Sequence, residues 1–290
     1  MSKADFDRIL DEIVTLPSAP TVLIRVTELV ENPSISLRQI AEAISADPPI
    51  SMKVLRLVNS AYYGLRSRVG SLEQAIPLLG LKVVKNLVVT ATVFHTFSST
   101  DSKEGPLLER EQFWLHCVGT GMIAKAIVRC VQTAPPVDSE EIFVAGLLHD
   151  VGKIILQQHL HKKFQEALTK SATGNVPLHE CETESIGISH AQIGGRLAEK
   201  WKLPQEIVQA IYHHHPSSDQ STFPYSAAVV NLADFICYAK EIGNGGPTDS
   251  VRFVTEAWRS TQLKNSDIPT IMSHVKDDEK LAAQLLNVAR

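Results

Sequence analysis

Residues 140–156 read EEIFVAGLLHDVGKIIL, a helix-like apolar stretch with the dipeptide His149-Asp150 set inside it. Ile142, Gly146, His149 and Lys153 recur at helical spacing and share one stripe. Asp150 lies about 100° round from His149 by helix geometry. With a helix ending near Gly152, the pair occupies its last turn. An imidazole or carboxylate among apolar side chains costs free energy unless it finds a partner. The stretch therefore predicts a helix and, within it, something to be bound.

The same placement recurs outward from this segment. His116 lines up with Phe113, Thr120, Ile123 and Ile127; His190 with Ile193, Gly194, Leu197 and Trp201; Asp234 with Ala227, Val230 and Cys237. His214 and His215 lie on a further helix-like stretch. A single histidine on an apolar face is more often a hydrogen-bonded core residue than a ligand. Asp234 alone could cap a helix or pair with an arginine. Five helix-like segments that offer only imidazole and carboxylate are a different case. They are the donor set of Fe, Mn, Zn, Ni and Co, and they point to a metal site. His159, His161 and His179 read as surface residues without a role, as does His95. His213 reads as exposed.

The rest of the chain is helical in pattern and shows no sustained period-two alternation, so the fold class is all-α. LKVVKNLVVTATVF and VVNLADFICYAK contain β-branched residues but are too long and uninterrupted for strands, and read as buried helices. Leu16-Pro17-Ser18-Ala19-Pro20 ends a first, acidic amphipathic helix in MSKADFDRILDEIV, and Asn32-Pro33-Ser34 ends a second. Asp47 caps a helix that has Pro48 at its first position. Asn59-Ser60-Ala61-Tyr62-Tyr63-Gly64 closes that helix, and Gly80 separates the next two. SSTDSKEGP at 98–106 reads as the main boundary, with softer breaks at Thr133-Ala134-Pro135-Pro136 and Gly243-Asn244-Gly245-Gly246-Pro247. These divide the chain into an N-terminal helical subdomain over 1–100, a helical core over 106–243 and accessory helices over 247–290.

Composition narrows the function classes. The 290 residues are 44% hydrophobic and 21% charged, with a net charge of −4. That is ordinary for a soluble globular protein and gives no electrostatic reason to expect nucleic acid. Lys and Arg read as scattered. The N-terminus lacks the pattern of a signal peptide, and no apolar run suggests a membrane span. Cys117, Cys130, Cys181 and Cys237 form no CxxC and read as buried free thiols of a reducing cytoplasm.

The order His116, His149-Asp150, Asp234 resembles the H…HD…D signature of the HD superfamily of metal-dependent phosphohydrolases. His190 and His214-His215 resemble the extra ligands of its two-metal branch, which includes the HD-GYP phosphodiesterases. LPSAP at 16–20, ADPPISMKVLRLVNSAYYG at 46–64 and SLEQAIPLLGLKVVKNLVV at 71–89 are similar to hallmarks of the HDOD domain, a helical, HD-related output module of bacterial signalling proteins. The resemblance covers roughly residues 10–240. It implies an HD-like multi-helix fold with an N-terminal helical subdomain. It implies that Asp150 bridges two metals, that His116 and Asp234 complete one site, and that His190, His214 and His215 complete the other. Lys153 matches the lysine of HDxGK, which in catalytic relatives could stabilise charge on a phosphate oxygen. HDOD domains often lack some of these ligands and are generally regarded as regulatory, whereas this chain keeps the set. No Gly-Tyr-Pro follows His215, which argues against cyclic di-GMP hydrolysis.

Two functions follow from the resemblance. The first is a signalling module with a dimetal site, docking other signalling proteins and sensing a small ligand such as a nucleotide or phosphate. The alternative is a phosphohydrolase or phosphodiesterase acting on a nucleotide or cyclic dinucleotide through a metal-bridging hydroxide, with Asp150 and Lys153 catalytic. A third reading is a helical scaffold whose histidines are remnants. Mixed His/carboxylate ligation favours iron, then manganese, with zinc, nickel or cobalt open.

Overall fold

The computed structural model describes residues 16–30, 32, 34–97, 107–131, 137–216, 223–247 and 252–289, without the side chains of 274–281, 285, 288 and 289. The expected N-terminal amphipathic helix, the boundary at 98–106 and the break at 133–136 lie outside the described residues. Among the described residues, regular structure is entirely helical. The fold is all-α, as the sequence pattern predicts.

The chain divides into two compact units, both discontinuous: residues 18–99 with 276–290, and residues 1–17 with 100–275. The segments expected from the sequence were consecutive, with everything after 247 as one accessory piece. In the structure, 247–275 groups with the larger unit.

The smaller unit contains α1 (Thr21–Val30), α2 (Leu37–Ser45), α3 (Pro48–Val58), α4 (Leu72–Leu79) and α5 (Leu81–Thr96). Local chemistry sets their ends. Ser36 and Gln39 form a capping box at α2, which satisfies two otherwise orphaned backbone donors. Asp47 accepts from the Ile50 amide at 3.1 Å and starts α3 with Pro48 at its first position. Gly80, at φ +85°, is at once the end of α4 and the start of α5. LKVVKNLVVTATVF lies within α5, which packs against α3 and α1.

The larger unit is built on α6 (Arg110–Cys130), α7 (Ser139–Leu148), α8 (Val151–His159), α9 (His161–Gly174), α10 (Leu178–Ile186), α11 (His190–Lys200), α12 (Gln205–His213), α13 (Tyr225–Ala239) and α14 (Thr255–Thr261); α15 (Ile268–Ala289) follows. The long helix α6 packs against α7 and α13, α12 against α7, α11 and α13, and α11 against α8. Gly121 and Gly146 let α6 and α7 meet backbone to backbone, since a Cβ on Gly146 would stand 2.6 Å from the Gly121 Cα. Leu16 and Pro17 of the LPSAP stretch dock on the end of α11, where Lys200 Nζ donates to Leu16 O at 2.6 Å and Trp201 Nε1 to Pro17 O at 3.0 Å.

One expectation is corrected. Residues 140–156 are two helices rather than one. The first ends at Leu148, Asp150 takes φ −100° and ψ 2°, and the second begins at Val151. His149 and Asp150 therefore form the joint between helices, not a last turn. Lys153 does not share a continuous stripe with His149; it sits in the first turn of α8 and reaches back to Asp150.

Candidate metal centre

Each candidate ligand sits at a helix end or on a buried helix face. His149 follows the last residue of α7, and its Nδ1 donates to Gly146 O at 2.7 Å. His214 follows α12, and its Nδ1 donates to Ile211 O at 2.8 Å. A carbonyl oxygen only accepts, so in both rings Nδ1 carries the proton. Nε2, with its lone pair in the neutral ring, is left to face inward. His190 opens α11, where Ser189 and Gln192 form a capping box. Its Nδ1 and its backbone N–H both donate to Glu182 Oε2, at 2.6 and 2.8 Å. His116, on α6, lies in ring contact with Tyr238 at 4.5 Å. Asp234 projects from α13, one helical turn before Tyr238.

Asp150 stands between two groups of these side chains. Its Oδ2 is 3.3 Å from His149 Nε2 and 3.8 Å from His116 Nε2. Its Oδ1 is 3.2 Å from His190 Nε2 and 3.9 Å from His214 Nε2. Asp234 Oδ1 lies 3.0 Å from His116 Nε2 and 3.6 Å from His149 Nε2. His190 Nε2 and His215 Nε2 are 2.9 Å apart. Two groups could each hold an ion: His116, His149 and Asp150, and His190, His214 and His215, with ligand atoms within 4.8 Å of one another in each. All seven residues singled out in the sequence thus come together.

The fit to a cation shows in the unpartnered atoms. His116 Nε2, His149 Nε2, Asp150 Oδ1, His214 Nε2 and Asp234 Oδ1 are buried without a hydrogen-bond partner. His116 Nε2 and Asp234 Oδ1 approach closely enough to attract but are not aligned for a hydrogen bond. Leaving a buried polar atom unpaired costs about 1–3 kcal/mol. The outward Nδ1 atoms of His149, His190 and His214 are satisfied, whereas both ring nitrogens of His116 are unpartnered. The arrangement of the first three rings is what metal-binding histidines need, the outer hydrogen bond fixing tautomer and ring plane.

The charges are strongly coupled. Burial alone would lower the His149 imidazole, but the Asp150 carboxylate and, after it, that of Asp234, both close to Nε2, carry it up to about 10. Burial would raise Asp150, yet the His149 and Lys153 charges hold its carboxyl well below the usual range. Burial and neighbouring histidines push His214 and His215 well down, into the neutral form. Lys153 Nζ donates to Asp150 Oδ2 at 2.6 Å and to Gly245 O at 3.0 Å.

Four further features belong to the site. Glu182 lines up with Leu178 and Ile186 at four-residue steps, a spacing that could have marked it, and is fully buried against His190. Tyr238 follows Asp234 at one helical turn, a spacing that could have found it. His179, read as a surface residue, stacks on His215 with centroids 4.2 Å apart and planes 9° apart. The segment Gly243–Pro247, read as a soft break, lies on the cluster. A Cβ at Gly245 would meet His116 Cδ2 at 2.7 Å and Asp150 Oδ2 at 2.9 Å. A pocket of about 210 Å³ adjoins the cluster, lined in part by Lys153, His179, His190, His215, Asp234 and Arg252. Of the other histidines, His95 and His159 are exposed, and His161 and His213 are half-buried, so the exposure expected of His161 and His213 is only partial.

The fold and this cluster define a class: an all-helical protein with a buried His/Asp centre able to take divalent cations. The sequence profile of the HDOD domain matches residues 16–217. The chain belongs to the HDOD domain family. An uncharacterised protein of Treponema pallidum (strain Nichols) is 29% identical over 207 residues, which cover 71% of this chain but 39% of that relative. The chain thus spans well under half the length of that relative. Among solved structures, an HDOD domain protein of unknown function from Geobacter sulfurreducens superimposes with a TM-score of 0.78 at 23% identity, covering 97% of this chain and 96% of that one. A candidate phosphohydrolase from Shewanella amazonensis SB2B gives 0.74 at 20% identity, covering 100% and 99%. At these identities the likeness is one of fold. No helix among the described residues is long and apolar enough to cross a membrane.

Proposed function

We propose that this chain is a regulatory HDOD module that holds two divalent cations in its His/Asp centre and docks other signalling proteins. The observation that carries the metal is the set of inward, buried and unpartnered ligand atoms on His116, His149, Asp150, His214 and Asp234. His116, His149, Asp150 and Asp234 would hold one ion. His190, His214, His215 and the second oxygen of Asp150 would hold the other. The mixed imidazole and carboxylate donors suit iron first and manganese next, and remain compatible with zinc, nickel or cobalt. When bound, such a pair supplies Lewis acidity towards a phosphoryl oxygen and acidifies water.

Enclosure supports regulation over catalysis. His116, His149, Asp150, His190 and His214 are all buried, and Gly245 closes over Asp150 and His116. Lys153 Nζ is held by Asp150 Oδ2 and the Gly245 carbonyl, although its side chain also lines the pocket beside the cluster. The pocket beside His190, His215 and Arg252 is the observation favouring the second reading, a phosphohydrolase, and the name of the Shewanella relative points the same way.

Elemental analysis of tag-free protein, beside the His149→Ala/Asp150→Ala variant, tests the metal reading. About two equivalents of metal, lost in the variant, are expected. No stoichiometric metal after anaerobic reloading would overturn it. The loaded protein is expected to be inert towards cyclic and linear dinucleotides, nucleotides and generic phosphodiesters. Turnover that vanishes in the double variant would instead establish the enzyme.

A further inference from the structure

The smaller unit carries a surface for which the metal centre has no use. A groove of about 610 Å³ is lined by the apolar Met52, Leu55 and Leu65 and by Arg56, Arg66 and Arg68. Residues 48–72 contain Lys53, Arg56, Arg66 and Arg68 but no aspartate or glutamate, in a chain whose net charge is −4. Basic residues that look scattered in the sequence are therefore concentrated by the fold, because the loop after α3 returns along the helix. All three arginines are exposed, and among the described residues none has an ion-pair partner. Met52 is 58% exposed between them. Burial and then the Arg56 charge lower the Lys53 ammonium.

The groove is held in shape. Asn59, the first residue of NSAYYG, donates through Nδ2 to Leu55 O at 2.8 Å and Val69 O at 2.9 Å, and accepts through Oδ1 from Val69 N at 2.7 Å. One side chain thus ties the far end of the loop to α3. Gly64, at φ +58°, turns the chain out of the short 3-10 turn Ala61–Tyr63 and into that loop. Arg66 and Arg68 are presented on a fixed loop, which lowers the ordering cost of binding.

We infer that this groove docks an acidic peptide segment of a protein partner, with carboxylates against Arg56, Arg66 and Arg68 and an apolar side chain against Met52, Leu55 and Leu65. The cations are arginines, whose planar forks pair carboxylates bidentately. The apolar side chains line a groove rather than a flat face, so they suit an inserted side chain better than a bilayer surface. Three arginines around one depression form no continuous stripe for a nucleic-acid backbone, and no aromatic ring lines the groove for a base to stack on. The inference deepens the regulatory reading by giving the docked partner a chemistry, yet it uses no atom of the His/Asp centre.

A random peptide display library panned on the full chain, followed by fluorescence anisotropy with the enriched consensus peptide, tests it. The enriched sequences are expected to be acidic around an apolar anchor. Their affinity is expected to fall at least tenfold in Arg66→Glu/Arg68→Glu, several-fold in Met52→Ser, and with added salt. These side chains are exposed, and unchanged circular dichroism would show that the variants fold. Binding by His149→Ala/Asp150→Ala should match the wild type. Enriched peptides without acidic bias, or equal binding by the arginine variant, would overturn the inference. So would stronger binding to phosphatidylserine vesicles or to a single-stranded oligonucleotide than to the peptide. A peptide lost only in the His149/Asp150 variant would move the docking site to the metal centre.

Discussion

Glu182 and His179 show how single side chains set the character of the centre. Glu182 fixes the His190 ring through Nδ1 and the α11 start through the backbone N–H. Outer partners of this kind typically account for 10–100-fold in metal affinity. Glu182→Gln is therefore expected to weaken binding by about that factor in competition with a chromophoric chelator, with the helical content unchanged. An unaltered affinity would mean that packing alone orients the ring. His179 is pushed down to about 4 by burial and then by the charges of His190 and Lys153. In the unfolded chain it regains its ordinary 6.5, so above that pH both states are neutral and no penalty exists. As pH falls from 6.5 towards 4 the unfolded chain takes up the proton first, and stability is lost. His179→Phe keeps an aromatic face on His215 and removes this titration. Its Tm should fall less steeply than that of the wild type across the same pH window, and parallel curves would refute the assignment. His149 titrates in the opposite sense. Its proton, held up to about 10, occupies the Nε2 that a cation would take. Metal loading at neutral pH should thus release about one proton, measurable by calorimetry in buffers of different ionisation enthalpy.

The informative elements are the joint between α7 and α8 and the segment Gly243–Pro247. Propensity would let a helix run through LLHDVGKIIL, since nothing there breaks one. The joint instead presents His149 to one side of the centre and Asp150 to its middle, and Gly152 lies so close to the His190 backbone that a Cβ would not fit. Close approach between α8 and the start of α11 is a tertiary demand, invisible in the local pattern. The Gly-Asn-Gly-Gly-Pro segment has the composition of a loose connection. Its glycines serve close approach instead. Gly243 has φ +65° and Asn244 N donates to Gln112 O at 2.9 Å, which brings Gly245 onto His116 and Asp150. Gly245→Ala should destabilise the protein by about 1–3 kcal/mol through overpacking. It should also lower metal affinity, because His116 or Asp150 must move. A variant with wild-type Tm and wild-type metal content would show that the segment yields freely.

Over the whole molecule, the seven candidate ligands belong to the unit of residues 1–17 and 100–275, and the basic groove to the unit of residues 18–99 and 276–290. Ligand that binds only the folded state stabilises it by RT ln(1 + [L]/Kd). Chelation should therefore speed amide exchange in α6, α7, α8, α11, α12 and α13 and leave α1 to α5 unchanged. Equal acceleration in both units would contradict a metal effect confined to the larger one. The sequence by itself determined the all-helical class, because a 3.6-residue apolar period and capping residues such as Asp47 act locally. It also determined which side chains meet in the centre, because His116, His149, Asp150, His190, His214, His215 and Asp234 are polar groups set on apolar helix faces or at helix ends, and burial has one direction. Only the tertiary structure decided the rest. Glu182, His179 and Gly245 reach the centre across gaps in sequence that no period encodes. Arg56, Arg66 and Arg68 form a patch only because Asn59 folds the loop back on α3. Contacts between distant segments depend on how whole helices pack, which no single stretch of chain specifies.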